Sequence, residues 1–318
     1  MKIVITGALG HIGSSFIRNI PASLSNVEFV LIDSLLTQRY SSLFELPRNY
    51  NYSFIHSDIF EVDYSLILKD CLAVVHLAAI TDAERSFERS TEVHNINYKG
   101  TKFIAEACAN NNVPLIMIST TSVYGKQSGI VDENCTDLKP QSPYAESKLL
   151  AEDYLREIGV TKDLKFIILR FGTIFGTSLG MRFHTAVNKF CWQATLRQPV
   201  SVWETAYEQL RPYLDISDAT KLIFFIIEKK LFYQNTYNAV TRNASVRDIV
   251  GIISEEIREV DIQFVKSSIM NQLSYEVTAE KITGKGFDFT GDLSRGIKDT
   301  LFQLESIRNQ IPFNIQVK

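Results

Sequence analysis

Lys2-Ile3-Val4-Ile5-Thr6-Gly7-Ala8-Leu9-Gly10-His11-Ile12-Gly13 decides the fold of this chain. The β-branched run Lys2 to Thr6 reads as a strand, and apolar residues from Ile12 to Ile20 recur at helical spacing. Between them Gly7, Gly10 and Gly13 let the backbone turn tightly and approach a pyrophosphate at a helix N-terminus, where side chains would block the contact. The spacing is Gly-x-x-Gly-x-x-Gly, not Gly-x-Gly-x-x-Gly, so the turn takes its weight from context. That context is Asp33, 20 residues after Gly13 at the end of a second strand, where a carboxylate can accept both hydroxyls of an adenosine ribose. A 2′-phosphate would be repelled there, and no arginine follows before Arg39, so the expected cofactor is NAD and not NADP.

Outward from this turn, short apolar runs alternate with amphipathic stretches. Strands are expected at Lys2 to Thr6, Val27 to Ile32, Tyr52 to His56, Leu72 to Leu77, Pro114 to Ser119 and Phe166 to Arg170. Helical spacing covers Ile12 to Ile20, Tyr64 to Leu68, Asn95 to Ala109 and Pro143 to Ile158. The pattern predicts an α/β, Rossmann-type doubly wound parallel sheet over residues 1–170. Residues 171–318 mainly form a smaller C-terminal substrate-binding lobe, with helices near Met181 to Leu196, Ser217 to Lys229 and Ser245 to Val260 and strands near Val200 to Trp203 and Tyr213 to Ile216. Leu36 to Asn51 reads as a long polar and aromatic loop.

The 318 residues suffice for two domains or one large core. A net charge of −3 with no block of like charge argues against a nucleic-acid partner. No apolar run approaches the ~18 residues of a membrane span. Cys71, Cys108, Cys135 and Cys191 lie far apart with no Cys-x-x-Cys, so neither a metal site nor a disulfide framework is expected and a cytoplasmic location fits. The apolar stretch after Lys2 breaks at Thr6-Gly7 and lacks a cleavage pattern, and is read as a mature N-terminus.

Chemistry is carried by Pro143-Tyr144-Ala145-Glu146-Ser147-Lys148, which opens a helix and puts the Tyr144 phenol and the Lys148 ammonium on one face. A free tyrosine, with a pKa of about 10, is a poor base at neutral pH; a neighbouring cation stabilises its phenolate. The pair can therefore exchange a proton with a sugar or alcohol hydroxyl. Upstream, Ser119-Thr120-Thr121-Ser122-Val123-Tyr124-Gly125 closes the fifth strand, at the carboxyl edge where open α/β sheets bind ligands. Asp58-Ile59, after the third strand, is placed to bracket the adenine, although Asp58 could equally cap a turn.

These residues, with Val75-His76-Leu77-Ala78-Ala79, Asn97, Gly100-Thr101 and Leu169-Arg170-Phe171, resemble the extended short-chain dehydrogenases/reductases of the NAD-dependent epimerase/dehydratase branch along essentially the whole chain. The resemblance implies that Thr120 orients the reacting hydroxyl and that Tyr144 is the acid/base. Lys148 would also hold the nicotinamide ribose. It implies cofactor contacts by Gly7, Gly10, His11, Ile12, Gly13, Asp33, Asp58, Ile59, Leu77, Ala78, Ala79 and Asn97, His11 being a helix-start residue over the cofactor, not a catalyst. A homodimer, paired through Asn95 to Ala109 and Pro143 to Ile158, is implied as well.

Arg211-Pro212-Tyr213-Leu214-Asp215-Ile216-Ser217-Asp218 resembles the family segment whose arginine grips the diphosphate of a nucleotide sugar, and guanidinium geometry suits that task. Asp218 reads as a helix N-cap. Further substrate contacts are expected from Thr121, Ser122, Thr173, His184 and Asn188, with His184 a possible extra acid and Lys189 one turn on. Family dehydratases carry an Asp-Glu pair after the catalytic Thr; Thr121 and Ser122 stand there, which disfavours loss of water. Epimerisation through a transient keto-sugar remains, with net hydride transfer on a nucleotide sugar, or on a small hydroxy substrate such as L-threonine, as the alternative.

Overall fold

The computed structural model describes residues 1–266 and 274–308. Seven parallel strands form the central sheet: β1 (Lys2–Thr6), β2 (Glu28–Asp33), β3 (Asn51–His56), β4 (Cys71–His76), β5 (Leu115–Thr120), β6 (Phe166–Phe171) and β7 (Asn235–Ala239). Their spatial order is β7-β6-β5-β4-β1-β2-β3. The chain leaves β1 toward β2 and β3, then returns to build outward from the other side of β1 through β4. The crevice between the carboxyl ends of β1 and β4 is thus the topological switch point, where such sheets bind ligands.

The period-two rule of strands divides the core between two faces. Ile3 and Ile5 share one face with Phe29, Leu31, Val75, Ile116 and Leu169, while Val4 shares the other with Val30, Val74, Met117 and Ile168. Helix α1 (His11–Phe16) covers the first face together with α4 (Ile216–Glu228), Phe16 stacking on Phe224 at 4.1 Å between ring centroids. Helices α2 (Gly100–Asn110) and α3 (Pro143–Lys162) cover the second through Ile104, Ala105, Ala151 and Leu155. Each isoleucine or leucine of this kind, fully buried, stabilises the fold by roughly 1.5–3 kcal/mol before entropy is counted.

Two elements beyond residue 170 return to this sheet: α4 and the seventh strand, β7, which sequence patterning did not single out. The Asn235-Thr236-Tyr237-Asn238 run is too polar to read as a buried strand. Its amides are satisfied by tertiary bonds, Asn238 Oδ1 accepting from Tyr124 Oη at 2.8 Å and Asn235 Oδ1 from Lys281 Nζ at 2.6 Å.

The remainder of the chain packs beside the carboxyl edge. There Leu210–Asp215 pairs in parallel with Thr173–Phe175 and antiparallel with Arg242–Ser245, over a core that includes Phe175, Phe190, Tyr213, Ile249 and Ile297. Asp218 is not the cap of α4: Asp215 is, accepting from Ser217 N at 2.8 Å, while buried Asp218 accepts from Thr241 Oγ1, Thr290 N and Gly291 N. The helix expected from Met181 begins only at Ala186, because residues 176–185 are tied down elsewhere. Among the described residues no helix is long and apolar enough to cross a membrane, no His/Cys/Asp/Glu group could hold a metal, and the four cysteines are free.

Candidate active site

The glycine turn is built by contacts that leave no room for side chains. Gly7 has a φ of +66°, and a Cβ there would lie 2.6 Å from Ala78 N; at Gly13 it would lie 2.4 Å from Ala8 O. Gly10, by contrast, faces the cavity, with no neighbour nearer than Gly7 O at 3.3 Å and Arg39 Nη1 at 3.8 Å. Asp33 secures the turn, its carboxylate accepting from Leu9 N at 3.0 Å and Leu35 N at 2.9 Å. A backbone cradle open on one side, with a carboxylate beside it at the end of β2, fits the diphosphate and ribose of a dinucleotide.

From this cradle a single cavity runs past Leu77, Ala79 and Ile118 to Thr120, Ser122, Tyr144 and Lys148, then on to Thr173, Trp203 and Arg211 in the second lobe. Ser142 caps α3 by accepting from Ala145 N, and Pro143 opens its first turn, which fixes where Tyr144 and Lys148 stand. Thr120 Oγ1 accepts from Ser122 N at 3.1 Å, and Thr120 and Tyr144 stand together on the cavity wall. Burial raises the Tyr144 phenol to about 12; the Thr120 side chain and the positive charge of Arg182 oppose the rise. Lys148 Nζ donates to Ile118 O at 2.9 Å, and burial lowers its ammonium to about 8, Glu152 opposing the change. Arg182, a residue sequence reasoning missed, thus adds a positive charge that acts on the phenol.

Arg182 reaches the cavity on a segment pinned to the glycine turn. His11 Nε2 and Gly176 O are 2.8 Å apart, Ser178 Oγ donates to His11 O at 2.9 Å, and Gly180 N donates to Ser14 Oγ at 2.9 Å. A Cβ on Gly180 would lie 2.4 Å from Leu9 O, so the segment lies directly on the turn. Burial holds His11 near 4, hence neutral. Asn188 Nδ2 donates to Arg182 O at 3.0 Å, a supporting contact made away from the cavity wall. His184 does line the cavity, and burial with nearby Arg182 lowers it to about 4; as a neutral imidazole it holds no extra proton to release.

At the far end Arg211 lines the cavity with Nε and Nη2 buried and without a hydrogen-bond partner. Such buried donors are costly unless a ligand satisfies them. Tyr275, likewise unforeseen, joins the wall, its hydroxyl 3.3 Å from Thr121 Oγ1. Thr121 is directed to Tyr275 and Phe171 O, and is not among the cavity-lining residues. Asn97 is also off the wall: in a π-helical turn, His94–Lys99, it bonds Ile80 N, Ile80 O and Ser147 Oγ and so ties the segment after β4 to α3. Asp58 accepts from Phe60 N, and Ile59 packs in the core. The carboxylates on the wall are Asp82 and Glu84, not residues 121 and 122.

With this geometry in view, the chain defines itself as a dinucleotide-dependent enzyme of the extended short-chain dehydrogenase/reductase type. It belongs to the NAD dependent epimerase/dehydratase family, whose pattern it matches over residues 3–239. It is 27% identical over 266 residues to the uncharacterized UDP-glucose epimerase YtcB of Bacillus subtilis, covering 80% of this chain and 82% of that one. It is 26% identical to a trifunctional UDP-glucose 4,6-dehydratase/epimerase/reductase of Arabidopsis thaliana, over 94% of this chain but only 46% of that protein, so it spans about half of that relative. Among solved structures it resembles the UDP-glucuronic acid 4-epimerase of Bacillus cereus in complex with UDP-glucuronic acid and NAD, with a TM-score of 0.88, 26% identity, and coverage of 96% and 100% of the two chains.

Proposed function

We propose that this protein is an NAD-dependent epimerase of a nucleotide diphosphate sugar, working through a transient keto-sugar. The observation that supports this most is the joining, in one cavity, of the Thr120–Tyr144 pair with an Arg211 guanidinium whose buried donors lack a partner. When bound at the glycine turn, NAD supplies a reversible hydride acceptor. Tyr144 takes the proton of the sugar hydroxyl and returns it, Thr120 orients that hydroxyl, and Lys148 holds the nicotinamide ribose and favours the phenolate. Arg211 anchors the diphosphate, so the keto-sugar stays bound while it presents its other face. The unsatisfied Arg211 atoms also favour a nucleotide sugar over free L-threonine.

Arg182 makes no side-chain hydrogen bond among the described residues and stands in the reaction cavity, where an anionic sugar substituent would find a partner. The glucuronic acid held by the Bacillus cereus enzyme carries one. A homodimer joined through residues 95–109 and 143–158, located in the cytoplasm, completes the reading; Leu150, 44% exposed, lies in the second of these stretches. The test is a thermal-shift and NMR panel of UDP-glucose, UDP-glucuronic acid and dTDP-glucose. Stabilisation strongest with UDP-glucuronic acid, and its conversion to a stereoisomer, is expected. Turnover of free threonine without response to any nucleotide sugar would overturn the reading.

A further inference from the structure

One turn beyond Lys148 on α3, Glu152 is completely buried. Its Oε1 accepts from Ser119 Oγ at 2.6 Å and Arg170 Nε at 2.9 Å; its Oε2 accepts from Arg170 Nη2 and Arg156 Nη2, each at 2.7 Å. The chemistry described so far makes no use of this carboxylate. A buried ion pair is a weak way to stabilise a core, since apolar residues of the same volume often do as well. A reason closer to the reaction is available, because Ser119 immediately precedes Thr120 and Lys148 is bonded to Ile118 on the same strand.

We propose that Glu152 is a positioning residue of the catalytic helix, holding the Lys148 ammonium protonated in its buried seat and fixing the end of β5 that presents Thr120. The groups around Lys148 bear this out. Tyr144 and Glu152 come from its own helix, and Ile118 O and Ser119 from β5. His76 comes from β4, where burial drops it to about 3 and leaves it neutral, and Arg170 comes from β6, bound to Glu152. Glu152 is the anion of this set, and it opposes the burial that lowers Lys148 to about 8. Without it the ammonium would lose its proton closer to neutrality, and with it the charge that holds ribose and phenolate.

The proposal rests on the Tyr144–Lys148 assignment and separates from it by experiment. Glu152→Gln should move the alkaline limb of both turnover and NAD affinity down by roughly one pH unit. Arg156→Gln removes a partly exposed cation from the same carboxylate and should move both limbs upward by a few tenths of a unit, a sign that general loosening of the core would not produce. Opposite shifts support the proposal; unmoved limbs, or shifts in one direction, overturn it. Should Glu152→Gln fail to fold, Arg156→Gln decides alone, an upward shift supporting and any other result overturning. Failure of the underlying assignment would show differently, as normal turnover in Tyr144→Phe.

Discussion

Lys148 Nζ and the Ile118 carbonyl oxygen, 2.9 Å apart, tie the helix that carries Tyr144 to the strand that carries Thr120. Tyr144 and Thr120, the proposed acid/base and orienting residue, are therefore held to one another, which is what a proton transfer at fixed distance requires. Tyr144→Phe keeps the ring and this tie but removes the hydroxyl. Turnover should fall by at least about a hundredfold, the usual scale of a general acid/base contribution, with NAD affinity by calorimetry nearly unchanged. Retention of most activity would mean that another group moves the proton.

Arg211→Ala removes a charge-assisted contact expected to contribute about 1.5–3 kcal/mol, or roughly 10- to 150-fold in affinity. Because the wild-type donors at Nε and Nη2 are buried and unpaired before substrate binds, the free protein should be no less stable without them. Titration with a nucleotide sugar should show the weaker binding, while NAD titration should not.

Much of the site was legible because backbone demands write themselves into residue type. Gly7, Gly13 and the Pro143 helix start each have only a few residues that fit, so the turn and the helix that carries Tyr144 read directly from the chain. One arginine was harder. Arg182 owes its place to bonds such as His11–Gly176, between positions 165 residues apart, and irregular segments have no periodicity to betray them. Strand β7 hid for a related reason, its asparagines being satisfied by Tyr124 and Lys281 from elsewhere in the fold. Asn97, expected at the cofactor, sits in a π-helical turn that directs its amide to Ile80 and Ser147, partners that no local pattern announces.

The segment over the glycine turn can be tested at Gly180, where a Cβ would meet Leu9 O at 2.4 Å and Gly10 O at 2.5 Å. Both are backbone atoms and cannot swing aside. Gly180→Ala should cost about 1–3 kcal/mol of stability and lift the segment that delivers Arg182, weakening NAD and substrate binding together. Gly129→Ala, with nothing within 4 Å of the new carbon, serves as the neutral control. Equal behaviour of the two variants in thermal melts and titrations would show that the close contact does not matter.

Buried neutral histidines predict a specific response to acid. His11 and His76 fall from an ordinary 6.5 to about 4 and about 3, burial being the main cause. Between those values and 6.5 the unfolded chain binds protons that the folded one refuses, so stability is full above pH 6.5 and drains as pH falls toward 4. His76→Gln removes one of these sites, so its urea midpoint should fall less steeply than that of the native protein between pH 6.5 and 4. Parallel curves would show that His76 does not couple to folding.

The reaction type itself is open to an isotopic test. In epimerisation by hydride return, the hydrogen removed from the sugar carbon comes back to that carbon, and Tyr144 handles only the hydroxyl proton. A substrate deuterated at the reacting carbon should therefore give a mixture of two epimers, both still carrying the label, and unlabelled substrate in heavy water should gain none at carbon. Net hydride transfer would change the sugar's mass by two hydrogens and consume cofactor in proportion. Elimination would release water and draw solvent hydrogen onto carbon, and it needs an acid and a base beyond Tyr144. Thr121 is committed to Tyr275 and Phe171, Ser122 has no titrating group, and the wall carboxylates Asp82 and Glu84 belong to the segment after β4. The expected outcome is unchanged mass with retained label, and loss of water from the product would reassign those carboxylates as the missing pair.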